Sequence, residues 1–128
     1  MSLDLTAQEV VKRYFSAMRV RASGSNGMAA LFTDDAVYVE PFSAAFGGGS
    51  AEKHTHHGKA AVVAYFDAAW QQQPPDMVVA LDRLDIDGDL IRSEWTCTAS
   101  IFPAPLRGYD VYTIRGGKIA RLETTLLR

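Results

Sequence analysis

Three side chains able to hold a proton or a developing negative charge stand where the sequence pattern expects burial. Tyr14 falls within an apolar helical stripe made by Ala7, Val10, Val11, Phe15 and Met18. A buried phenol takes a hydrogen-bond partner, because an unmet one costs about 1–3 kcal/mol; a plain core tyrosine bonded to backbone satisfies the same rule. Asp110 lies mid-strand between Tyr109 and Val111, on the face of Gly108, Tyr112 and Ile114. Aspartate is disfavoured inside strands. Turned inward it would be desolvated, and its neutral form could donate to a ligand oxygen. Turned outward it would be an ordinary solvated carboxylate, and periodicity leaves both faces open. Glu40 ends a strand just before Pro41, in phase with Ala36 and Tyr38. Facing inward it could remove a proton from carbon; facing outward it is a surface glutamate.

His54, His56 and His57 form a second cluster, whose spacing suits a general base or a pair of metal ligands. Only Glu52 accompanies them as an acid, so no metal is expected; one histidine reaching the interior, with His57 placed among the pocket residues, is the expected use. Asp34-Asp35 and Asp87-Gly88-Asp89 read as turn chemistry, the latter too short for a calcium loop. Gly116-Gly117 reads as a hairpin and not a phosphate cradle, since no helix follows it. Cys97 is the single cysteine, which excludes an internal disulfide and fits a reducing compartment; in its apolar strand it reads as a small core residue.

The elements that position these residues can be traced along the chain. Thr6 as N-cap and Glu9 three residues later make a capping box for a first helix, ended by Ser23-Gly24-Ser25-Asn26-Gly27. A short second helix spans Met28 to Phe32 and stops at a Thr33-Asp34-Asp35 turn. Ala36 to Glu40 reads as a strand, and Phe42 to His57 as a long irregular segment with Gly47-Gly48-Gly49 at its loosest part. A third helix runs from Lys59 to about Gln72, with Val62, Val63, Phe66 and Trp70 on one side, until Pro74-Pro75. Val78 to Ile86, Leu90 to Ile101, Arg107 to Arg115 and Lys118 to Leu127 then read as strands joined by two hairpin signals. Helices followed by an antiparallel meander make an α+β class.

Composition bounds the function classes. The 128 residues suit one domain, 1–128. With 48% hydrophobic and 22% charged residues the chain is typical of soluble globular proteins. Its 13 basic and 15 acidic residues leave a net charge of -2 with no basic run, which argues against nucleic acid as a partner. No apolar run approaches a membrane span and no signal-like leader is visible, so the expected location is cytoplasmic.

Several of these residues together carry a family resemblance. Thr6-Ala7-Gln8-Glu9-Val10 leading to Arg13-Tyr14, Phe32-Thr33-Asp34-Asp35-Ala36, Glu40-Pro41-Phe42, His57-Gly58-Lys59, and Asp110-Val111 through Gly117-Lys118-Ile119 make the chain resemble the nuclear transport factor 2-like superfamily, in its SnoaL-like and ketosteroid isomerase-like branch. The resemblance covers nearly the whole chain. It implies a cone-shaped curved sheet wrapped around three N-terminal helices and enclosing a pocket, and a homodimer formed through the sheet. It also implies roles: Tyr14 falls where ketosteroid isomerase has its oxyanion-hole tyrosine, Asp110 where it has a protonated aspartic acid, and Glu40 where it has the aspartate base. That tuning of carboxyl groups is a known pattern, carried over here from the resemblance.

The departures are specific. The base would be one methylene longer, and Phe66 stands where a supporting tyrosine is often found. The segment from Ser43 to Lys53 is longer than in the isomerase. Trp95, Cys97 and Thr124 stand where limonene epoxide hydrolase has its arginine and two aspartates, which excludes that activity. The expected function is proton transfer beside a carbonyl, of an isomerase or polyketide cyclase-like kind, on a small hydrophobic molecule. Glu40 would be the base and Tyr14 and Asp110 the oxygen stabilisers, with no cofactor. Phe15, Met18, Phe42, His57, Phe66, Trp70, Trp95 and Tyr112 are the candidate pocket walls. A non-catalytic module for a lipophilic ligand and a dimeric interaction domain are the rival readings.

Overall fold

The computed structural model describes residues 6–21, 27–42 and 53–127. Helix α1 (Ala7–Val20) begins at the expected cap: the Glu9 backbone N–H donates to Thr6 Oγ1 at 3.2 Å, and Thr6 Oγ1 donates to Glu9 Oε1 at 3.1 Å. Its buried side is Val10, Val11, Tyr14, Phe15 and Ala17. Arg21 closes it in the left-handed region at φ 55°, and the Arg21 guanidinium donates to the Pro74 carbonyl at 3.2 Å, tying the helix end to the chain after the third helix. A single helical turn, α2 (Met28–Leu31), runs directly into β1 (Phe32–Glu40).

Two segments differ from the sequence expectation. Thr33-Asp34-Asp35 lies inside β1, where the register with its neighbour shifts between Phe32 and Val37. The Thr33 hydroxyl still donates to Asp35 Oδ1 at 2.8 Å, so the turn chemistry is used to make a bulge. Residues 54–57, expected to be irregular, form β2 (His54–His57), antiparallel to β1. The rest of the expected long segment, with Gly47-Gly48-Gly49, lies outside the described residues, as do residues 23–26 of the first break.

Gly58 turns the chain from β2 into α3 (Lys59–Gln72) at φ 91°, its N–H donating to the Ala36 carbonyl at 2.7 Å. Val62, Phe66 and Trp70, spaced four apart, form the buried edge of α3. The meander follows as β3 (Val78–Asp87), β4 (Leu90–Thr98), β5 (Leu106–Arg115) and β6 (Lys118–Leu126).

The six strands form one curved sheet in the order β2-β1-β6-β5-β4-β3, with the helices laid on its inner face, an α+β architecture. Four of the pairings are antiparallel; β1 and β6 run parallel, pairing Tyr38 with Leu122 and Val39 with Glu123. Register aligns the inner face into rows: Trp95, Gly108 and Leu126; then Ser93, Asp110 and Thr124; then Ile91, Tyr112 and Leu122, continued by Tyr38. Asp110 therefore faces inward, near the sheet centre. No helix among the described residues is long and apolar enough to cross a membrane.

Gly108 holds a specific place in this arrangement. A Cβ there would stand 2.9 Å from Trp95 Cε2 and 2.7 Å from the Thr125 carbonyl oxygen, so only glycine lets the indole lie across β5. Gly108→Ala is expected to lower stability by about 1–3 kcal/mol through overpacking. It should also shift Trp95 fluorescence, both read by urea denaturation; an unchanged midpoint overturns the packing argument.

Candidate functional site

Tyr14, Glu40 and Asp110 are all buried, at 2%, 0% and 2% exposure. The aromatic interior closes around Tyr14 edge-on, with Phe15 at 5.4 Å, Phe66 at 6.0 Å, Tyr112 at 6.1 Å and Phe32 at 6.4 Å between ring centres. Its hydroxyl is hydrogen-bonded to Tyr38, the Tyr38 hydroxyl lies 3.3 Å from Thr124 Oγ1, and Thr124 donates to Asp110 Oδ1 at 2.7 Å. The structure thus links Tyr14 to Asp110 through two intervening hydroxyls. Burial pushes the Tyr14, Tyr38 and Tyr112 phenols well above their ordinary value, and the Asp110 charge adds in the same direction, so all three stay protonated.

Asp110 is the centre of this chain. Its Oδ1 also accepts from Trp95 Nε1 at 3.2 Å, while Oδ2 accepts from the Tyr112 hydroxyl at 3.2 Å and from Ser93 Oγ at 3.3 Å. The Ser93 and Tyr112 hydroxyls lie 2.7 Å from each other. Oδ2 and the two hydroxyls therefore make a triangle with three contacts, to which the hydroxyls bring only two hydrogens. With Oδ2 accepting both hydroxyl hydrogens, none is left for the Ser93–Tyr112 contact; a proton on Oδ2, which would then donate to one of the two hydroxyls, would supply it. Burial pushes the Asp110 carboxyl up from 3.8 to about 6, against the lowering by its Thr124, Trp95, Tyr112 and Ser93 donors.

A second constellation lies at the sheet edge. Glu40, two residues beyond Tyr38 on the same face of β1, holds Oε2 at 2.9 Å from His56 Nε2, whose side chain is 16% exposed. An ionised carboxylate has no hydrogen to give, so Nε2 then donates and Nδ1 is left as the acceptor nitrogen of the ring. Tyr65 of α3 lies 4.8 Å from His56 and 5.4 Å from Tyr38 between ring centres. Burial, with a smaller push from the Glu40 charge, raises its phenol far above the ordinary value. Among the described residues no group of three His, Cys, Asp or Glu side chains is placed to hold a metal ion.

The expected pocket residues divide. Phe15, Phe66, Trp70, Trp95 and Tyr112 are buried, and Met18 and Phe42 pack partly buried against them, with Phe42 6.2 Å from Trp95. His57 is a correction: it pairs with Val37, is exposed and faces away from the interior, whereas His56 pairs with Tyr38 and turns inward. A one-residue step along a strand reverses the face, and without the strand the parity of this cluster is unreadable. Sequence reasoning also passed over Ser93 and Thr124, which alternate with apolar residues at strand period, and Tyr38 and Tyr65. Cys97 is buried and its thiol is pushed up to about 11 by desolvation, as befits a core residue. A groove of about 390 Å³ between α1 and β3, lined by Gln8, Lys12, Leu81, Asp82, Arg83, Leu84 and Ile86, involves none of the site residues.

Comparison with known proteins agrees with this geometry at the level of fold. The family model described as a SnoaL-like domain matches residues 11–122. No curated protein matches the chain. A nuclear transport factor 2-like protein of unknown function from Mesorhizobium loti superposes with a TM-score of 0.74 at 16% identity, covering 94% of this chain and 90% of that one. A candidate polyketide cyclase from Sinorhizobium meliloti gives 0.72 at 24% identity, over 98% and 99%. A candidate ketosteroid isomerase from Kribbella flavida gives 0.69 at 21% identity, over 94% and 76%.

The raised Asp110 pKa carries a sign. The folded carboxyl binds its proton more tightly than the unfolded one, so this contribution is fully present below about pH 4 and is lost as pH rises through about 6. Asp110→Asn mimics the protonated form, with an amide N–H for the triangle and a carbonyl for Trp95 and Thr124. From about pH 4 to about pH 7, wild type is expected to lose roughly 3 kcal/mol relative to Asp110→Asn, read by urea unfolding at each pH. Parallel pH profiles for the two proteins would show that the carboxyl titrates normally.

Proposed function

The chain belongs to the SnoaL-like domain family, and from that premise we propose that it is a small-molecule enzyme that moves a proton at a carbon next to a carbonyl group. The observation that carries this reading is the Glu40–His56 pair: a wholly buried carboxylate bonded at 2.9 Å to an imidazole that reaches the surface. A carboxylate held within reach of the carbon is the ordinary base for a proton next to a carbonyl. Glu40 takes the proton from the carbon, and the C–H electron pair moves into an enolate whose oxygen carries the charge. Returning the proton to the same or a conjugated carbon completes the isomerisation; attack of the enolate carbon on a second carbonyl of the same molecule makes a ring, and the alkoxide formed there takes the proton back from Glu40. No redox partner is needed in either case. The relatives described as a candidate ketosteroid isomerase and a candidate polyketide cyclase are compatible with both outcomes.

The central carboxyl has a different part in this proposal from the one the resemblance implies. Asp110 and Tyr14 are engaged with protein hydroxyls, and they act by fixing the inner face of the sheet. That same engagement favours the second reading, a lipophilic-ligand binder without turnover, in which Glu40 and His56 only seat the ligand. Association into a homodimer through the outer sheet face is part of the proposal under either reading.

The deciding experiment follows loss of α-proton signals by NMR when cyclic ketones are incubated in D2O with the protein. Wild type is expected to accelerate exchange, and Glu40→Gln to slow it by about a hundredfold or more. Equal rates for the two proteins across the panel remove Glu40 from the chemistry and leave the binder. Light scattering on the purified protein should give twice the 14.0 kDa chain mass; a monomer overturns the dimer.

A further inference from the structure

His54 and His56 form a pair that the proton chemistry proposed above does not use. They stand two residues apart on β2, opposite Glu40 and Tyr38 of β1, and so share one face of the strand. Their ring centres lie 4.8 Å apart with the planes at 50°. His54 is exposed and the His56 side chain is partly so, which puts both rings within reach of an ion from solvent. Among the described residues no group hydrogen-bonds either ring nitrogen of His54, and His56 is bonded through Nε2 alone, to Glu40.

The Glu40 bond decides what His56 can offer. With Nε2 donating to the carboxylate, the lone pair is at Nδ1, and a carboxylate behind an imidazole is the usual device that orients a metal-ligating histidine. Tyr65 at 4.8 Å and Tyr38 at 6.3 Å between ring centres flank the His56 ring and restrict its plane before any ion arrives. The charges around the pair favour a cation. Glu40 is a carboxylate in contact with the ring, while the nearby ammonium groups are paired, Lys53 with Glu123 at 2.7 Å and Lys59 with Asp34 at 3.2 Å.

The ring spacing suits one ion. A zinc-bound imidazole nitrogen sits about 2.0–2.1 Å from the metal, which puts the ring centre roughly 3.2 Å away. Two such rings at about 90–110° around the ion stand roughly 4.5–5.2 Å apart. The observed 4.8 Å falls within that span. Glu40 is not a third ligand, because its Oε2 is bonded to the other nitrogen of His56. A site with two protein ligands is compatible with there being no three-residue metal cluster among the described residues.

We infer that His54 and His56 form a surface site for one divalent transition-metal ion of the kind imidazole prefers, Cu2+, Ni2+ or Zn2+, with water in the remaining positions. Two nitrogen ligands do not suit Mg2+, which takes oxygen, and among the three ions Cu2+ binds tightest. The site uses only the Glu40–His56 hydrogen bond, so it stands whether or not Glu40 serves as a base.

Equilibrium dialysis of the untagged protein against each of Cu2+, Ni2+, Zn2+ and Mg2+ tests this, with EPR of the Cu2+ form. One ion per chain is expected for the first three and none for Mg2+, and the EPR signal should carry two coordinated nitrogens. His54→Ala changes an exposed side chain, and circular dichroism checks that its fold is intact. It should weaken Zn2+ binding at least a hundredfold, beyond the roughly 10–100-fold cost of losing a group behind a ligand. His57→Ala, on the opposite face of β2, should bind Zn2+ as wild type does. Binding of Mg2+ as tight as that of Zn2+, no stoichiometric binding of any of the ions, or equal Zn2+ affinity in wild type and His54→Ala overturns the site. Loss of affinity in His57→Ala comparable to that in His54→Ala overturns the assignment of its ligands.

Discussion

A carboxyl group in the middle of a sheet, shut away from water, constrains everything built around it. An unpaired charge at the Asp110 position would cost several kcal/mol, so the fold must bring donors to it from every side. They come from β4 (Ser93 and Trp95), from β5 itself (Tyr112) and from β6 (Thr124), and Tyr38 of β1 extends the chain to Tyr14 on α1. The strand register follows from this requirement as much as from apolar packing. Slipping β5 by one residue would send Asp110 outward and bring Tyr109 and Val111 in, which would take both partners from the Ser93 hydroxyl and the carboxylate from Thr124. Gly108 belongs to the same constraint, because the Trp95 indole reaches Asp110 by crossing the place where a side chain would stand.

Satisfying one buried acid commits the hydrogens of its donors. Hydrogen atoms are countable, and those of Trp95 and Thr124 are committed to Oδ1 while Ser93 and Tyr112 are committed to the triangle at Oδ2. The β2 edge of the sheet lies outside this network. There a short strand, which among the described residues pairs only with β1, holds an imidazole against a carboxylate deeper in the interior. The centre and the edge thus divide the labour: the first secures the geometry of the sheet, and the second keeps polar atoms at the border between interior and water.

Much of this was legible in the chain itself. The first and third helices declared themselves through a capping box and a four-residue apolar spacing, and the hairpins through Asp87-Gly88-Asp89 and Gly116-Gly117, whose glycines adopt positive φ. The inward burial of Glu40 was readable as a possibility from its phase with Tyr38, yet only pairing decides a phase. His54-Thr55-His56-His57 lacks the apolar alternation by which a strand is recognised, so β2 and the choice between His56 and His57 were hidden. The parallel pairing of β1 with β6 was equally hidden, since it joins segments about eighty residues apart with no local signal. Ser93 and Thr124 carry short polar side chains that suit either face of a strand, and their meaning depends on Asp110 lying between them.

The allocation of hydrogen bonds decides what a buried polar side chain can do. A phenol and a carboxylic acid stabilise an oxyanion only with hydrogens left to give. Where a polar wall of Ser93, Thr124, Trp95 and Tyr112 stands behind the acid, those hydrogens go to the protein. Glu40 shows the complementary case. Its carboxylate reaches from the end of β1 to an imidazole on the neighbouring strand, so a wholly buried oxygen is in contact with a side chain that is partly exposed. Fold and function are separable in this way, since the Asp110 network accounts for the sheet without specifying a ligand.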